Sequence, residues 1–495
     1  MRKIEPDERH LRDGNPLPVT FAAPAVATSA LLLLVAQWTD HLGPLMWLAP
    51  APVLAVALRT CVPRAALYAF VAATLGGTGL ALLYRGTPLP TVALVGGAVL
   101  SGVTFAVIVA IARAVDLGLG RRLGGVAFVF AVAAGSAVLD WINAATSPHG
   151  TAGSAAYTQV GNVSILQLVS VGGLPAVDFV LAAVAAALAL GWVERRHRRA
   201  RRRALALAIA CLAFPAAFGT VRILRAPASP TVRVGVVSSD KPGKAFLARD
   251  EATAMPVVAA YAARIDRLAD DGARVIVLPE ELVGTTPAYA PRVYAAFADR
   301  ARAHGVTIVA GLREALADDT LRNHAVVFAP DGTTRLVYDK IHLIPGVEPM
   351  PAGSAPGLLD AGLGVAICKD LDFVDIARAH AAGGTRLLLA PAWDFDRDAW
   401  QHGRMAIVRA VEAGSALARS ARNGLVTVSD AYGRVVVRRA TAGGEASAVA
   451  DVALGPGTTF YARHGDWFVA ACALLWLVLM GLATYGRLRR LPSDT

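Results

Sequence analysis

Cysteine is scarce in this chain, with four residues in 495. Cys61, Cys211 and Cys472 lie in or beside apolar segments, far apart in the sequence. No two of the four have the spacing of metal ligands, and they form no recognisable disulfide framework. Cys368 is the one cysteine in the long soluble stretch of the chain. Its isolation favours a reactive thiol, and the alternative is a small buried core residue.

Charged side chains are also few. They make up 17% of the residues, whereas 55% are hydrophobic, which is too apolar for one soluble globule. The net charge of +11 does not indicate nucleic-acid binding, because the basic residues sit beside apolar segments and are not interleaved with aromatic ones. The composition is typical of an integral membrane protein that carries a soluble domain, and we expect no nucleic-acid partner.

Several apolar segments are long enough to cross a bilayer, which takes about 20 residues per helix. We predict eight spans, at residues 19–37, 43–59, 64–84, 90–113, 123–142, 170–192, 204–223 and 466–486. The first segment has no clear cleavage site beyond it, so we interpret it as a retained span. Asp178 lies inside a predicted span, where it is either a functional group or an interfacial cap.

Arginine is concentrated in alternate loops between these spans, most strongly in the run at 195–203. The positive-inside rule assigns such loops to the cytoplasm, and any contact of this run with anionic lipid is then a side effect. The rule predicts cytoplasmic tails at 1–18 and 487–495, a membrane domain of seven spans at 19–223, an extracytoplasmic domain at 224–465 and a last span at 466–486.

The segment 224–465 alternates short apolar runs with helical patterns. We predict helices at 253–269, 290–304, 374–382 and 402–417, and strands at 232–237, 274–278, 307–311, 324–329, 335–338, 364–368, 386–390, 425–429 and 434–438. The strands show no alternation of polar and apolar residues, which favours buried sheets that are covered by helices.

Three reactive side chains, those of Glu280, Lys340 and Cys368, stand at the ends of predicted strands. Open α/β sheets place their chemistry there. Glu280 is the candidate base for the thiol, with its neighbour Glu281 as the rival. Lys340 can hold a thiolate and stabilise an oxyanion, with the backbone N–H of Lys369 as a second donor. Together they indicate acyl transfer through a thiol, although each alone would more often be a solvated charge or a core residue.

The Glu–Lys–Cys order resembles that of the nitrilase superfamily, and nearly the whole chain resembles the apolipoprotein N-acyltransferase family. The most specific match covers 338–351, which fits the family pattern Tyr-x-Lys-x-x-Leu-x-Pro-x-x-Glu-x-x-Pro. A second match lies within 401–419, in the long helix after the nucleophile. The resemblance implies an α-helical membrane domain of about eight spans and an α/β domain with the αββα sandwich fold.

The resemblance also implies roles for individual residues. Glu280 is then the base, Lys340 the charge stabiliser, Cys368 the nucleophile and Glu348 a second carboxylate of the site. It further implies a phospholipid as acyl donor, the lipidated N-terminus of a protein as acceptor, and a place in the bacterial inner membrane. Neither a cofactor nor a metal is expected. His402 either shuttles protons or orients its helix through a hydrogen bond.

Three departures from the family pattern concern the surroundings of the thiol. Lys369 and Asp370 follow Cys368 where the family has Tyr-Glu, Trp393 stands in an altered motif, and the stretch 349–367 is short. We expect these residues to contact substrate or to support the site. The changes favour an alternative, a membrane-tethered amidase or an acyltransferase with another amine acceptor. A transporter or sensor with an inactive nitrilase-like domain is a third possibility, which the complete triad opposes.

Overall fold

The computed structural model describes residues 19–38 and 41–488. They form two compact units. The first contains the described residues of 1–146, 153–222 and 466–495, and the second contains 147–152 and 223–465. The predicted tail at 1–18 and the loop residues Thr39 and Asp40 lie outside the described residues, as does the predicted tail at 487–495 from residue 489 onward.

The first unit consists of helices rich in alanine, valine and leucine. Those before the soluble segment are α1 (Val19–Trp38), α2 (Ala51–Ala57), α3 (Val62–Leu83), α4 (Thr91–Gly120), α5 (Leu123–Thr146), α6 (Val163–Leu166), α7 (Val169–Gly172), α8 (Leu174–Val193) and α9 (Arg198–Leu224). Gly120 separates α4 from α5, because its φ of 70° is outside the helical region. Asp178 is buried in α8, where it accepts a hydrogen bond from Ser154 at 3.0 Å.

The second unit contains helices and strands. Its helices are α10 (Glu251–Asp270), α11 (Ala290–His304), α12 (Val374–Ala382), α13 (Ala399–Ala413) and α14 (Phe460–His464). Its strands are β1 (Thr231–Ser239), β2 (Val275–Val277), β3 (Gly284–Thr285), β4 (Thr307–Ala315), β5 (Leu321–Phe328), β6 (Thr334–Asp339), β7 (Gly357–Leu358), β8 (Leu363–Val365), β9 (Leu387–Trp393), β10 (Ala416–Arg422), β11 (Leu425–Ser429), β12 (Val435–Ala440) and β13 (Glu445–Ala453). The chain then returns to the first unit as α15 (Trp467–Leu488).

Among the described residues, six helices are long and apolar enough to cross a membrane, namely α3, α4, α5, α8, α9 and α15. Shorter apolar helices cover 22–38, 43–57 and 163–172, so the predicted number of about eight spans is approximate. The predicted span 43–59 is not one continuous α-helix. It is a 3-10 turn followed by α2, with Pro44 and Pro52 in their first turns, where a proline lacks the N–H that would continue a preceding helix.

Two sheets form the core of the second unit. The first has the strand order β13-β1-β2-β4-β5-β6, with β3 beside β4, and the second has the order β12-β11-β10-β9-β8-β7. Neighbouring residues of a strand point to opposite faces. On β4, Val309 accordingly packs between the two sheets, whereas Ile308 packs in the cluster formed with α10 and α11. Helix α13 covers the second sheet together with α12. The predicted αββα sandwich is confirmed.

Two local predictions in this unit were wrong. The helix predicted at 402–417 ends at Ala413, because Gly414 has a φ of 75° and terminates it with a left-handed C-cap. The chain re-emerges as β10, a fully buried strand that the sequence pattern did not reveal. The strand predicted at 364–368 ends at Val365, and Cys368 begins a short 3-10 turn, Cys368–Asp372.

Candidate active site

A buried ammonium group lies at the centre of the site. Lys340 follows β6 directly and is 1% exposed. Its Nζ donates to Glu280 Oε1 at 2.8 Å and to Glu348 Oε1 and Oε2 at 2.8 and 3.0 Å. Sequence reasoning expected these three residues in one site, and the structure brings them into direct contact.

Asn323 of β5 completes this cluster, and sequence reasoning missed it. Its amide donates to Glu280 Oε1 at 2.7 Å and to Glu348 Oε1 at 3.0 Å. The residue is 3% exposed. The feature of the sequence that could have indicated it is a polar amide within an otherwise apolar, buried strand. The amide holds the two carboxylates side by side at the ammonium group.

Close packing behind Glu280 fixes its backbone. Gly311 of β4 lies against the segment, and a Cβ added there would be 2.4 Å from the carbonyl oxygen of Pro279 and 2.6 Å from the Cα of Glu280. Such distances leave no room for a side chain. The position of the Glu280 carboxylate therefore depends on the neighbouring strand as well as on its own.

The cluster leaves one carboxylate oxygen available. Glu280 Oε2 is buried and has no hydrogen-bond partner in the described part of the chain. Burial raises the pKa of Glu280, although the charge of Lys340 opposes the change. Burial alone would lower the pKa of Lys340, but Glu280 and Glu348 raise it well above its usual value. Lys340 therefore stays charged, and Glu280 is suited to accept a proton.

Glu281, the rival base, is engaged by other partners. Its φ of 45° is left-handed, and its carboxylate pairs with Arg313 at 3.2 Å. Arg422 donates to its carbonyl oxygen at 2.7 Å. Burial raises the pKa of Glu281 to about 7, with Arg313 acting against the shift. The geometry thus favours Glu280 as the base.

Cys368 stands at a strained point of the backbone. Its φ is 45°, a conformation that costs a non-glycine residue on the order of 1–3 kcal/mol. The thiol is buried and donates to the carbonyl oxygen of Trp393 at 3.4 Å. Burial raises the pKa of Cys368 to about 11; the charge of Glu280 adds to the shift, and Lys340 and His402 oppose it. The thiol is therefore protonated near neutral pH and needs a base for activation.

Asp370 fixes the turn that carries Cys368. It accepts the hydroxyl of Tyr338 at 2.7 Å and the backbone N–H groups of Ile341, His342 and Ile367 at 3.1, 2.8 and 2.8 Å. The carboxylate thereby joins the turn to the segment that follows Lys340. Asp370 therefore supports the backbone of the site, which is one of the two roles that we expected from the sequence.

The side chain of Lys369 reaches the last residue of the same turn, Asp372. Its ammonium group is 3.4 Å from both Asp372 and His149 and 5.4 Å from the ring centre of Phe373. The segment 147–152, which His149 belongs to, is bound to this turn, because Thr151 donates to the carbonyl oxygen of Asp372 through its N–H at 3.0 Å and its hydroxyl at 2.6 Å.

Trp393 accepts the hydrogen bond of the thiol with its carbonyl oxygen, and its ring packs against an aromatic and a cationic side chain. The ring meets Phe246 edge to face at 4.7 Å, and the guanidinium of Arg422 lies 4.3 Å from its centre. Phe246 and Arg422 were not expected from the sequence, because both are distant from the strand-end motifs. They restrict the orientation of Trp393.

A further set of polar side chains lies beside the sulfur. The Sγ of Cys368, a carboxylate oxygen of Asp394 and a ring nitrogen of His402 are all within 4.8 Å of one another. Arg419 donates to both oxygens of Asp394, at 3.0 Å for the longer contact. The carboxylate is therefore neutralised by a guanidinium and does not require a cation.

Comparison with known proteins places the chain in a family. The carbon-nitrogen hydrolase model matches residues 244–456. The apolipoprotein N-acyltransferase of Gloeobacter violaceus is 30% identical over 359 residues, which cover 66% of this chain and 67% of that protein. The chain belongs to the apolipoprotein N-acyltransferase family. Matches to two further curated family members span only 36% and 46% of their lengths.

Further matches include soluble-type amidases and cover a smaller part of the chain. A chloroplastic omega-amidase of Arabidopsis thaliana is 29% identical over 157 residues, covering 26% of this chain and 42% of the amidase. Among solved structures, Saccharomyces cerevisiae Nit3 of the nitrilase superfamily matches 47% of this chain and 92% of its own, with 19% identity and a TM-score of 0.40. Family membership and the apolar helices identify the chain as a membrane protein and an enzyme of the acyltransferase class.

The support given by Asp370 can be tested through stability. We expect Asp370→Ala to lower the free energy of unfolding by on the order of 3 kcal/mol, because it leaves buried donors without their charged acceptor. Asp375→Ala is the matched control, since Asp375 is 64% exposed and its pair with His342, at 3.1 Å, is worth about 1 kcal/mol or less. Thermal melting in detergent measures both, and equal losses would contradict the assignment.

Proposed function

We propose that this protein is a membrane-bound N-acyltransferase. It moves an acyl chain from a phospholipid to Cys368 as a thioester, and then to the α-amine of a lipidated N-terminal cysteine of a protein. The observation that carries the proposal is the buried Lys340 ammonium between Glu280 and Glu348, which leaves Glu280 Oε2 without a hydrogen-bond partner among residues 19–38 and 41–488. Membership of the apolipoprotein N-acyltransferase family supports the choice of donor and acceptor.

Each group of the cluster has a step in this reaction. Glu280 removes the thiol proton as the sulfur attacks the ester carbonyl, and it returns that proton to the departing alkoxide. Lys340 and the backbone N–H of Lys369 stabilise the oxyanion of the tetrahedral intermediate. In the second half, the amine attacks the thioester, Glu280 accepts a proton from the nitrogen, and the C–S bond breaks to release the thiolate.

We further propose the arrangement that the arginine pattern predicts. The membrane domain covers 19–223 with a last span at 466–486, and the catalytic domain, 224–465, faces the outside of the bacterial inner membrane. The apolar helices of the first unit support a membrane location. A bilayer beside the site would supply both the donor lipid and a membrane-held amine.

A nitrilase-type amidase is the second candidate, or an acyltransferase with another amine acceptor. The similarity of 157 residues of the chain to an omega-amidase favours it. The short stretch 349–367 and the replacement of the family's Tyr-Glu by Lys369-Asp370 point the same way. In this reaction the same thioester would form from an amide and be discharged by water.

The proposed roles predict distinct losses of activity. We expect Cys368→Ala to form no acyl-enzyme. Glu280→Gln should slow acylation by about 10²–10⁴-fold, the range of a positioned base, and Lys340→Met by about 10²–10³-fold, the range of a lost oxyanion donor. Rates from labelled phospholipid, measured on variants whose melting curves match the wild type, test these roles. Near-wild-type turnover in one variant would remove that residue from its role.

The acceptor is tested by discharge of the acyl-enzyme. Purified protein incubated with phospholipid should become acylated at Cys368, as seen by mass spectrometry of the peptide. A diacylglyceryl-cysteinyl peptide should then discharge the thioester and become triacylated. Discharge by water alone would favour the hydrolase. Cleavage of small amides without acylation by phospholipid would overturn the donor as well.

The orientation is tested by cysteine labelling in a background whose four native cysteines are alanine. A cysteine at Ala317, which is exposed in the second unit, should react with a membrane-impermeant maleimide added to intact cells. One at Ala200, within the arginine run, should react only after the cells are permeabilised. The reverse pattern would refute the proposed orientation.

A further inference from the structure

His402 lies beside the reactive sulfur without a role in the steps above. It belongs to α13, one turn after Asp398, and its Nε2 is 3.0 Å from Asp398 Oδ2. Asp398 is 1% exposed, and its other oxygen accepts the N–H of Phe395 at 2.8 Å. The carboxylate is therefore fixed at the start of the helix and orients the imidazole. A ring nitrogen of His402 is within 4.8 Å of the Sγ of Cys368.

The other charged groups around the thiol are engaged with one another. Glu280 and Glu348 share the ammonium group of Lys340, and Asp394 is paired with Arg419. When Glu280 has taken the thiol proton, the sulfur carries the new negative charge, and a hydrogen-bond donor beside it favours that charged form.

Asp398 is suited to remain an anion beside the imidazole. Burial alone would raise the pKa of Asp398, but the charge of His402 and the hydrogen bond to it lower the pKa below its usual value. The carboxylate therefore attracts the imidazole, whose Nε2 lies 3.0 Å away. A buried carboxylate that orients a histidine next to a nucleophile is a recurrent arrangement in covalent catalysis.

We propose that His402, held by Asp398, stabilises the thiolate of Cys368 when the sulfur attacks and again when it leaves the thioester. Its N–H forms a hydrogen bond to the anionic sulfur, and no proton needs to leave the ring. The proton of the thiol goes to Glu280 in the first step, and the amine proton goes there in the second. The inference rests on the proposed nucleophilic role of Cys368.

Alkylation of Cys368 tests this inference without any lipid substrate. The full-length protein in detergent is treated with iodoacetamide at several pH values from about 6 to 10. This range lies below the Cys368 pKa of about 11, so the alkylation rate follows the small thiolate fraction. Peptide mass spectrometry follows Cys368 separately from the other cysteines. His402→Gln should raise the apparent pKa of the thiol by about one unit, and so slow alkylation roughly tenfold near neutral pH. Asp398→Asn should shift the profile in the same direction by less.

His304→Gln is the matched control. His304 also pairs with an aspartate, Asp266, at 2.8 Å, but it is the last residue of α11, which packs on the other sheet. We expect its pH profile to equal that of the wild type. Should His402→Gln fail to fold, as judged by melting, Asp398→Asn decides.

A merely structural histidine would give another result. If both variants lower the melting temperature but leave the alkylation profile of Cys368 unchanged, His402 only orients α13 and the inference is wrong. This outcome is separate from failure of the proposed function, which would show as the absence of an acyl-enzyme in the wild type. Slower alkylation together with slower acylation in His402→Gln would support both.

Discussion

The site depends on one electrostatic constraint, which is that the buried ammonium group of Lys340 needs its carboxylates. Removing an ion of this size from water costs several kcal/mol unless it is paired and hydrogen-bonded. Glu280 and Glu348 provide the pairing at 2.8 Å each, and Asn323 spaces them. The same contacts that stabilise the buried lysine occupy one oxygen of Glu280 and leave the other without a hydrogen-bond partner in the described part of the chain. The stability of the core here and the proposed chemistry therefore depend on the same four side chains.

The strained backbone at Cys368 is the second constraint on the site. A left-handed residue at the start of a 3-10 turn is strained, and strain persists only where the surroundings determine it strongly. Asp370 holds the turn in this conformation by accepting four hydrogen bonds. Because two of the donors follow Lys340 directly, one carboxylate fixes both the turn that carries Cys368 and the segment after Lys340.

The sequence predicted the parts of this site that stand at the ends of apolar runs. Glu280, Lys340 and Cys368 were recognisable because a strand ends beside each of them, and Glu348 because the family pattern contains it. Asn323 was not recognisable, since the face to which a strand residue points depends on the register of its neighbours. The strand β10 was missed for a different reason. Its seven buried residues, which follow Gly414, fit a continuation of the helix equally well unless the left-handed cap at Gly414 is known.

The segment 147–152 gives the fold an unusual connectivity. It lies between two apolar stretches of the chain, yet it belongs to the second unit, where Thr151 holds the carbonyl of Asp372 and the carbonyl of Ala152 accepts Gln401 at 3.2 Å. The second unit is thus discontinuous in sequence. A truncated chain that begins after α9 would lack these six residues and the hydrogen bonds that they make to the turn Cys368–Asp372 and to Gln401, so an isolated 223–465 would lose part of the support of its own fold.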